Sequence, residues 1–152
     1  MYYYLIALVI VALDQWTKYL VVSRMELGES IPLLPDIFHL TSHRNMGGAF
    51  GILQNQRTLF IVITVVVVIG IVVALYRIGR KQPRVSTALA LVLGGAVGNF
   101  IDRVTTGKVV DFLDFTLIKF PIFNIADAAI TIGVALLLLD VFLDSRRTRR
   151  EA

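Results

Sequence analysis

Four long apolar runs punctuate the chain, at residues 2–22, 58–76, 85–101 and 125–143, separated by segments of a different texture. At 1.5 Å per residue, each is about long enough to cross a bilayer as a helix. The run from Thr58 to Tyr76 carries no charge and is crowded with valine and isoleucine. Those residues favour strands in water, but an apolar run of this length exceeds an ordinary strand and spans about 29 Å as a helix, which predicts lipid-facing scaffold. Residues 23–56 break the pattern with Gly28, Pro32, Pro35, three acids and an apolar–polar alternation, best seen in IPLLPDIFHLTSHRNMGGAFGIL. The prolines exclude a long helix there, and the β-branched and aromatic residues favour short strands joined by turns on the membrane surface. The pattern as a whole predicts an all-α membrane protein: four transmembrane helices, with a small extracytoplasmic β-rich surface segment between helices 1 and 2. Residues 1–152 are expected to form a single integral membrane domain.

Composition reinforces that reading. The 152 residues are 57% hydrophobic and only 17% charged, with a mean hydropathy of +0.77, too apolar for a soluble domain of this size. The net charge of +4 does not point to nucleic acid, because the basic residues sit in short clusters flanking apolar runs, where lipid headgroups account for them. The absence of cysteine removes disulfides, thiolate nucleophiles and cysteine metal sites together. The first run lacks the basic leader and small-residue cleavage site of a signal peptide, and Asp14, Gln15 and Lys18 interrupt its apolar core, so it is expected to be retained. The loop after the second run and the C-terminal tail hold four basic residues each, eight within seventeen positions, against six over nearly sixty in the other two hydrophilic segments. By the positive-inside rule both termini are expected to be cytoplasmic.

Against this background the polar residues stand out. Carboxylates are costly beside hydrocarbon, yet Asp111 in VVDF and Asp127 in FNIAD bracket a short segment between the last two spans, which points to a catalytic pair. Asp127 also has a simpler reading: with Asn124 as N-cap it falls at the third helical position, as in a capping box, and capping and catalysis can coexist. Asp14 and Lys18, spaced i, i+4, share a helical face, either as an internal ion pair or as support for a polar site. Gly94 and Gly98 form a G-x-x-x-G that permits close helix contact. Asn99, Asp102 and Arg103 share one face of the same helix; they are either a local Asp–Arg contact at a helix end or, as the amide of Asn99 favours, a face turned to buried polar partners. In NMGGAF, Asn45 precedes two glycines that allow a tight turn or close approach. His39 and His43 have metal-ligand spacing only on a helix, and in a strand they stand roughly 13 Å apart, so no metal is expected. Asp140 and Asp144 are expected to pair at the interface with Arg146, Arg147, Arg149 and Arg150. With both termini inside, Asn45, Asn99, Asp102, Arg103, Asp111, Asn124 and Asp127 gather at or near the outer leaflet.

Five motifs, DQxTK from Asp14, NMGGAF from Asn45, GNxxDR from Gly98, VVDF from Val109 and FNIAD from Phe123, together resemble the bacterial lipoprotein signal peptidase (signal peptidase II) family, in the family's order and across essentially the whole chain. Gly48 is a mild departure, where the family more often has alanine. The resemblance implies an aspartic endopeptidase of the bacterial inner membrane, sensitive to the cyclic peptide globomycin. It removes the signal peptide of prolipoproteins, cutting before a cysteine that already carries diacylglycerol. It implies that Asp111 and Asp127 are the catalytic dyad. Asp14, Lys18, Asn45, Gly47, Phe50, Asn99, Asp102, Arg103 and Asn124 would support them or contact substrate. No cofactor is expected, the partners are prolipoproteins and membrane lipids, and the chain is expected to act as a monomer.

The chemistry fits the residues available: two carboxylates sharing a proton can hydrolyse a peptide, one activating water and the other polarising the carbonyl. Asp111 is expected to hold the shared proton, because Asp127 sits at the positive end of a helix. Two other classes compete. A small proton-coupled transporter would also carry intramembrane acids with basic partners, but the chain has no repeated half and its acids lie at one edge. A non-catalytic assembly factor would leave the aspartates as a cap and a loop charge.

Overall fold

In the computed structural model, the described residues are 2–48, 53–79, 81–118 and 120–151, with side chains described to 145. Four helices, α1 (Tyr2–Arg24), α2 (Arg57–Ile78), α3 (Pro83–Thr105) and α4 (Ile125–Glu151), alternate with three strands, β1 (Ser30–Leu34), β2 (Phe38–Asn45) and β3 (Val109–Asp114). All four helices contain a stretch long and apolar enough to cross a membrane, that of α4 being Ile125–Ser145. The chain is a multi-pass membrane protein. Each helix covers its expected run, and α3 continues about a turn further, through Asp102 and Arg103, whose side chains find partners inside the protein.

Helix α3 is the centre of the bundle and packs against α1, α2 and α4. Its small residues make this possible. A Cβ on Gly94 would lie 2.7 Å from Cβ of Ile10 and 2.8 Å from the Ala7 carbonyl on α1, while one on Gly95 would collide with the Ala126 carbonyl on α4. The G-x-x-x-G therefore brings α1 close, and the neighbouring Gly95 does the same for α4. By contrast, α2 leans chiefly on α3 and exposes most of its valines and isoleucines, as expected of a helix solvated by lipid.

The strands form one antiparallel sheet in the order β1-β2-β3. The surface segment supplies a hairpin, turning at Asp36 with φ of 61°, and its tip exposes Leu33, Leu34 and Ile37. The third strand comes from elsewhere in the chain, the VVDF segment between α3 and α4, and pairs with β2 through Asn45↔Val109 and His43↔Asp111. Val110 and Phe112 of β3 pack on Val21 at the end of α1. The free edge of β3 is closed by Phe123, whose carbonyl accepts from the N–H groups of Phe112 and Leu113 and whose N–H donates to the Leu113 carbonyl. Phe123 lies two residues before α4, so the strand bearing Asp111 is hydrogen-bonded to the segment that leads into the helix bearing Asp127.

Candidate active site

Asp111 sits in the middle of β3 and is 1% exposed; Asp127 sits in the first turn of α4. Both line a cavity of about 780 Å³ that also takes in Asn45, Asn99 and Arg103. Its remaining wall is largely apolar, including Phe120 to Phe123 and Ile130 and Ile132 of α4.

Asn124 links the two carboxylates. Its side-chain amide donates to Asp111 Oδ1 at 2.7 Å, and its backbone N–H donates to Asp127 Oδ2 at 3.3 Å. In return its Oδ1 accepts from the Asp127 N–H at 2.9 Å, which completes the reciprocal capping box read in the sequence. Capping thus fixes one oxygen of Asp127, while its other oxygen accepts from Asn99 Nδ2 at 2.7 Å. Asp111 is held from the opposite side by Asn45, whose Nδ2 donates to Asp111 Oδ2 at 3.0 Å. The same Asn45 accepts from the Gly47 N–H at 2.9 Å, so the NMGG turn is closed on the residue that contacts Asp111.

Beneath this pair lies a buried charge cluster. Lys18 has three donors and spends all of them: on Asp14 Oδ2 at 2.8 Å, Asp102 Oδ2 at 3.1 Å and Asn99 Oδ1 at 3.0 Å. The ion pair expected of Asp14 and Lys18 is present, and it is also joined to the site, because Asn99 passes from Lys18 to Asp127. Each acid of the cluster holds a second element in place. Asp14 accepts from the Ala126 N–H at the start of α4, and Asp102 accepts from the Val110 N–H beside Asp111, both at 3.0 Å. A buried ion pair is not in itself stabilising, but removing one member costs about 3–5 kcal/mol through the charge left behind. Here the ordered ions position the two candidate carboxylates from below.

Gln15, which in the sequence is only a polar break in the first run, also belongs to the cluster. Its amide donates to Asp102 Oδ1 at 3.0 Å, to the Gly98 carbonyl at 3.1 Å and to Asp14 Oδ2 at 3.2 Å, so it ties α1 to α3 within the cluster. The available signal was its place beside Asp14 in an otherwise apolar run. Arg103 reaches the other way, donating to the Gly47 carbonyl at 3.3 Å with its guanidinium 4.7 Å from the centre of the Phe60 ring.

Asp14, Lys18, Asn45, Gly47, Asn99, Asp102, Arg103, Asp111, Asn124 and Asp127 are therefore joined in one connected site. Phe50, the remaining expected member, lies outside the described residues. The histidines fall on a strand: His43 borders the cavity, whereas His39 is turned to Ser30, 3.1 Å from its Oγ. Asp140 borders a smaller cleft with Arg84 and Thr87, and the side chains of Arg146, Arg147, Arg149 and Arg150 lie outside the described residues.

The environment of Asp111 is unusual for an acid. Burial, followed by the nearby negative charge of Asp127, pushes its pKa up to about 7, against the opposing pull of the amides of Asn45 and Asn124 and the charge of Lys18. A carboxyl group that keeps its proton near neutrality beside a second carboxylate is equipped to act as an acid.

A family model described as Signal peptidase (SPase) II matches residues 6–143. The chain belongs to the signal peptidase II family. Among its relatives, the lipoprotein signal peptidase of Brevibacillus brevis is 74% identical over 149 residues, covering 98% of this chain and all of that protein. The lipoprotein signal peptidase of Bacillus subtilis is 50% identical, with 99% of each chain covered. A solved bacterial membrane enzyme superposes with a TM-score of 0.86 at 42% identity, over 93% of this chain and 87% of its own. Membership of the signal peptidase II family makes the chain a protease of the aspartic type, and it leaves the transporter reading without support.

Proposed function

We propose that the chain is the endopeptidase that removes the signal peptide of diacylglyceryl-modified prolipoproteins, cutting before the lipidated cysteine, with Asp111 and Asp127 as its dyad. One observation carries the assignment of the dyad: two carboxylates from different elements converge on one cavity, bridged by the side chain and backbone of a single residue, Asn124. The lone proton of the pair resides on Asp111. Asp127 takes a proton from water as the water oxygen attacks the scissile carbonyl, and Asp111 donates its proton to the carbonyl oxygen. Collapse of the tetrahedral species breaks the C–N bond: the leaving cysteine nitrogen takes up the proton held by Asp127, and the hydroxyl formed from the carbonyl oxygen returns its proton to Asp111, leaving a carboxylic acid and the starting protonation of the pair. The hydrogen bonds from Asn99, Asn45 and Asn124 hold both carboxylates without reorganisation during the step.

The cavity wall supports the substrate class. Its apolar side, formed by Phe120–Phe123 with Ile130 and Ile132 of α4, suits acyl chains entering from the bilayer, while β2 and the turn after Asn45 flank an extended peptide. The whole chain acts as one peptidase unit and as a monomer, in the bacterial inner membrane. Both termini lie in the cytoplasm and the cavity near the outer leaflet, where the sparse basic residues of the sheet segment belong. Globomycin, a cyclic peptide, would compete for the same cavity.

The reading is tested by incubating purified protein with a prolipoprotein in diacylglyceryl and unmodified forms and weighing the products by mass spectrometry. Only the lipidated form should be cut, releasing a fragment that begins with the modified cysteine. Equal cleavage of both forms, or a cut elsewhere, would refute the assignment of substrate.

A further inference from the structure

The sequence marks α2 as lipid-facing scaffold, and most of its valines and isoleucines are exposed. Its first turn is different. Arg57 and Phe60, spaced i, i+3, share one face, and that face meets the end of α3 at two consecutive residues. Arg57 donates to the Val104 carbonyl at 2.6 Å and runs beside Gly107, while the half-buried Phe60 ring lies under the Arg103 guanidinium, 4.7 Å from centroid to Cζ. The backbone that carries the ring is anchored in the helix, since the Phe60 N–H donates to the Gln56 carbonyl and the Phe60 carbonyl accepts from Thr64 Oγ1.

Arg103 needs such a support. It stands in the cavity with Asp111 and Asp127, yet its one hydrogen-bond acceptor among the described residues is the Gly47 carbonyl at 3.3 Å, and no carboxylate lies within salt-bridge distance of it. Asp102, adjacent in sequence, is already committed to Lys18, Gln15 and the Val110 N–H. A long side chain with one weak tether could swing onto either dyad carboxylate and pair with it permanently, blocking the site. An aromatic face attracts a guanidinium without neutralising its charge, so it can hold Arg103 in place while leaving its donors available to substrate.

Building on the peptidase reading above, we propose that Phe60 is a positioning residue: its ring face fixes the Arg103 guanidinium beside the dyad and over the Gly47 turn. This gives the first turn of α2 a part in catalysis through Arg103, with no contact between Phe60 and the reacting atoms.

The test replaces Phe60 with mono-, di- and trifluorinated phenylalanine, which weaken the ring's pull on a cation at nearly constant shape, and with Leu and Trp. Thermal unfolding confirms that each variant is folded. The expected result is a stepwise fall in kcat/KM with each fluorine, a loss of about tenfold for Phe60→Leu, the size of one partly desolvated cation–π contact, and recovery for Phe60→Trp. In an Arg103→Gln background the series should be flat. A flat fluorine series in the parent, or a graded series that persists without Arg103, would overturn the proposal and leave Phe60 as packing. A second readout is independent of cleavage: nitrogen-labelled arginine should show a ring-current-shifted Arg103 side chain that moves in Phe60→Leu. If no such shift exists the proposal fails, whatever substrate the protein cuts; if the shift is present but no prolipoprotein is cut, the peptidase reading fails and the contact stands.

Discussion

Asp111 combines burial with a neighbouring carboxylate, and the consequence is a proton retained up to about pH 7. Two pH effects follow, of the same sign. Between the ordinary carboxylate range and about 7, the folded state binds this proton and the unfolded state does not, so the contribution of Asp111 to stability is full at acid pH and is lost as pH rises through about 7. In the proposed mechanism the protonated Asp111 carboxyl is the general acid, so kcat/KM should decline on the alkaline side with a midpoint near 7, as titrated by the pair together. A pH–rate profile in detergent checks this; a plateau extending well above pH 8 would mean that Asp111 does not supply the acid. Most of these polar residues were legible in the sequence because each is improbable in an apolar chain. Their bonding was not legible: nothing local to Lys18 indicates that Asn99 and Asp102, more than eighty positions away, saturate it.

At the scale of elements, the four helices could be read from length and hydropathy, since a bilayer demands about twenty apolar residues whatever the neighbours are. The hairpin was visible in the prolines and the alternation. Strand β3 was missed as a strand because Val109–Asp114 is short and follows no turn that joins it to the hairpin; its partner β2 is supplied from beyond α2 and α3. The G-x-x-x-G was recognised as a close contact, but its use is specific. A Cβ on Gly98 would lie 2.6 Å from Asp14 Oδ2, so the missing side chain makes room for the carboxylate that holds α4 through the Ala126 N–H. Gly98→Ala is therefore expected to destabilise the protein by about 1–3 kcal/mol, as overpacking does, and to lower cleavage beyond what the loss of fold explains. Unfolding in detergent beside activity at a temperature where both proteins are folded measures the two effects. Parent-like activity in the variant would show that the Asp14 contact does not position α4.

For the molecule as a whole, the sheet and the cavity lie at one end of the bundle, and the loop joining α2 to α3 lies at the other. A chain without cysteine lends itself to mapping that asymmetry. Single cysteines at Glu29 and at Lys81 should react with an impermeant maleimide in intact cells and only after permeabilisation, respectively. The reverse pattern would invert the orientation and place the cavity on the cytoplasmic face, away from exported substrate. In the proposed orientation, a lipid-anchored peptide would reach the two aspartates sideways from the outer leaflet, between α4 and the turn after Asn45, without leaving the membrane.

In the proposed mechanism Asp111 and Asp127 perform the hydrolysis together. This is tested most directly by cleavage of a diacylglyceryl-modified prolipoprotein by the parent, Asp111→Asn and Asp127→Asn, in the presence of a chelator, with unfolding temperatures measured for all three. The parent should cut, and both variants, folded, should be silent. Near-parent cleavage by either folded variant would contradict this, and would require the mechanism to be rebuilt on the remaining buried acids, Asp14 and Asp102.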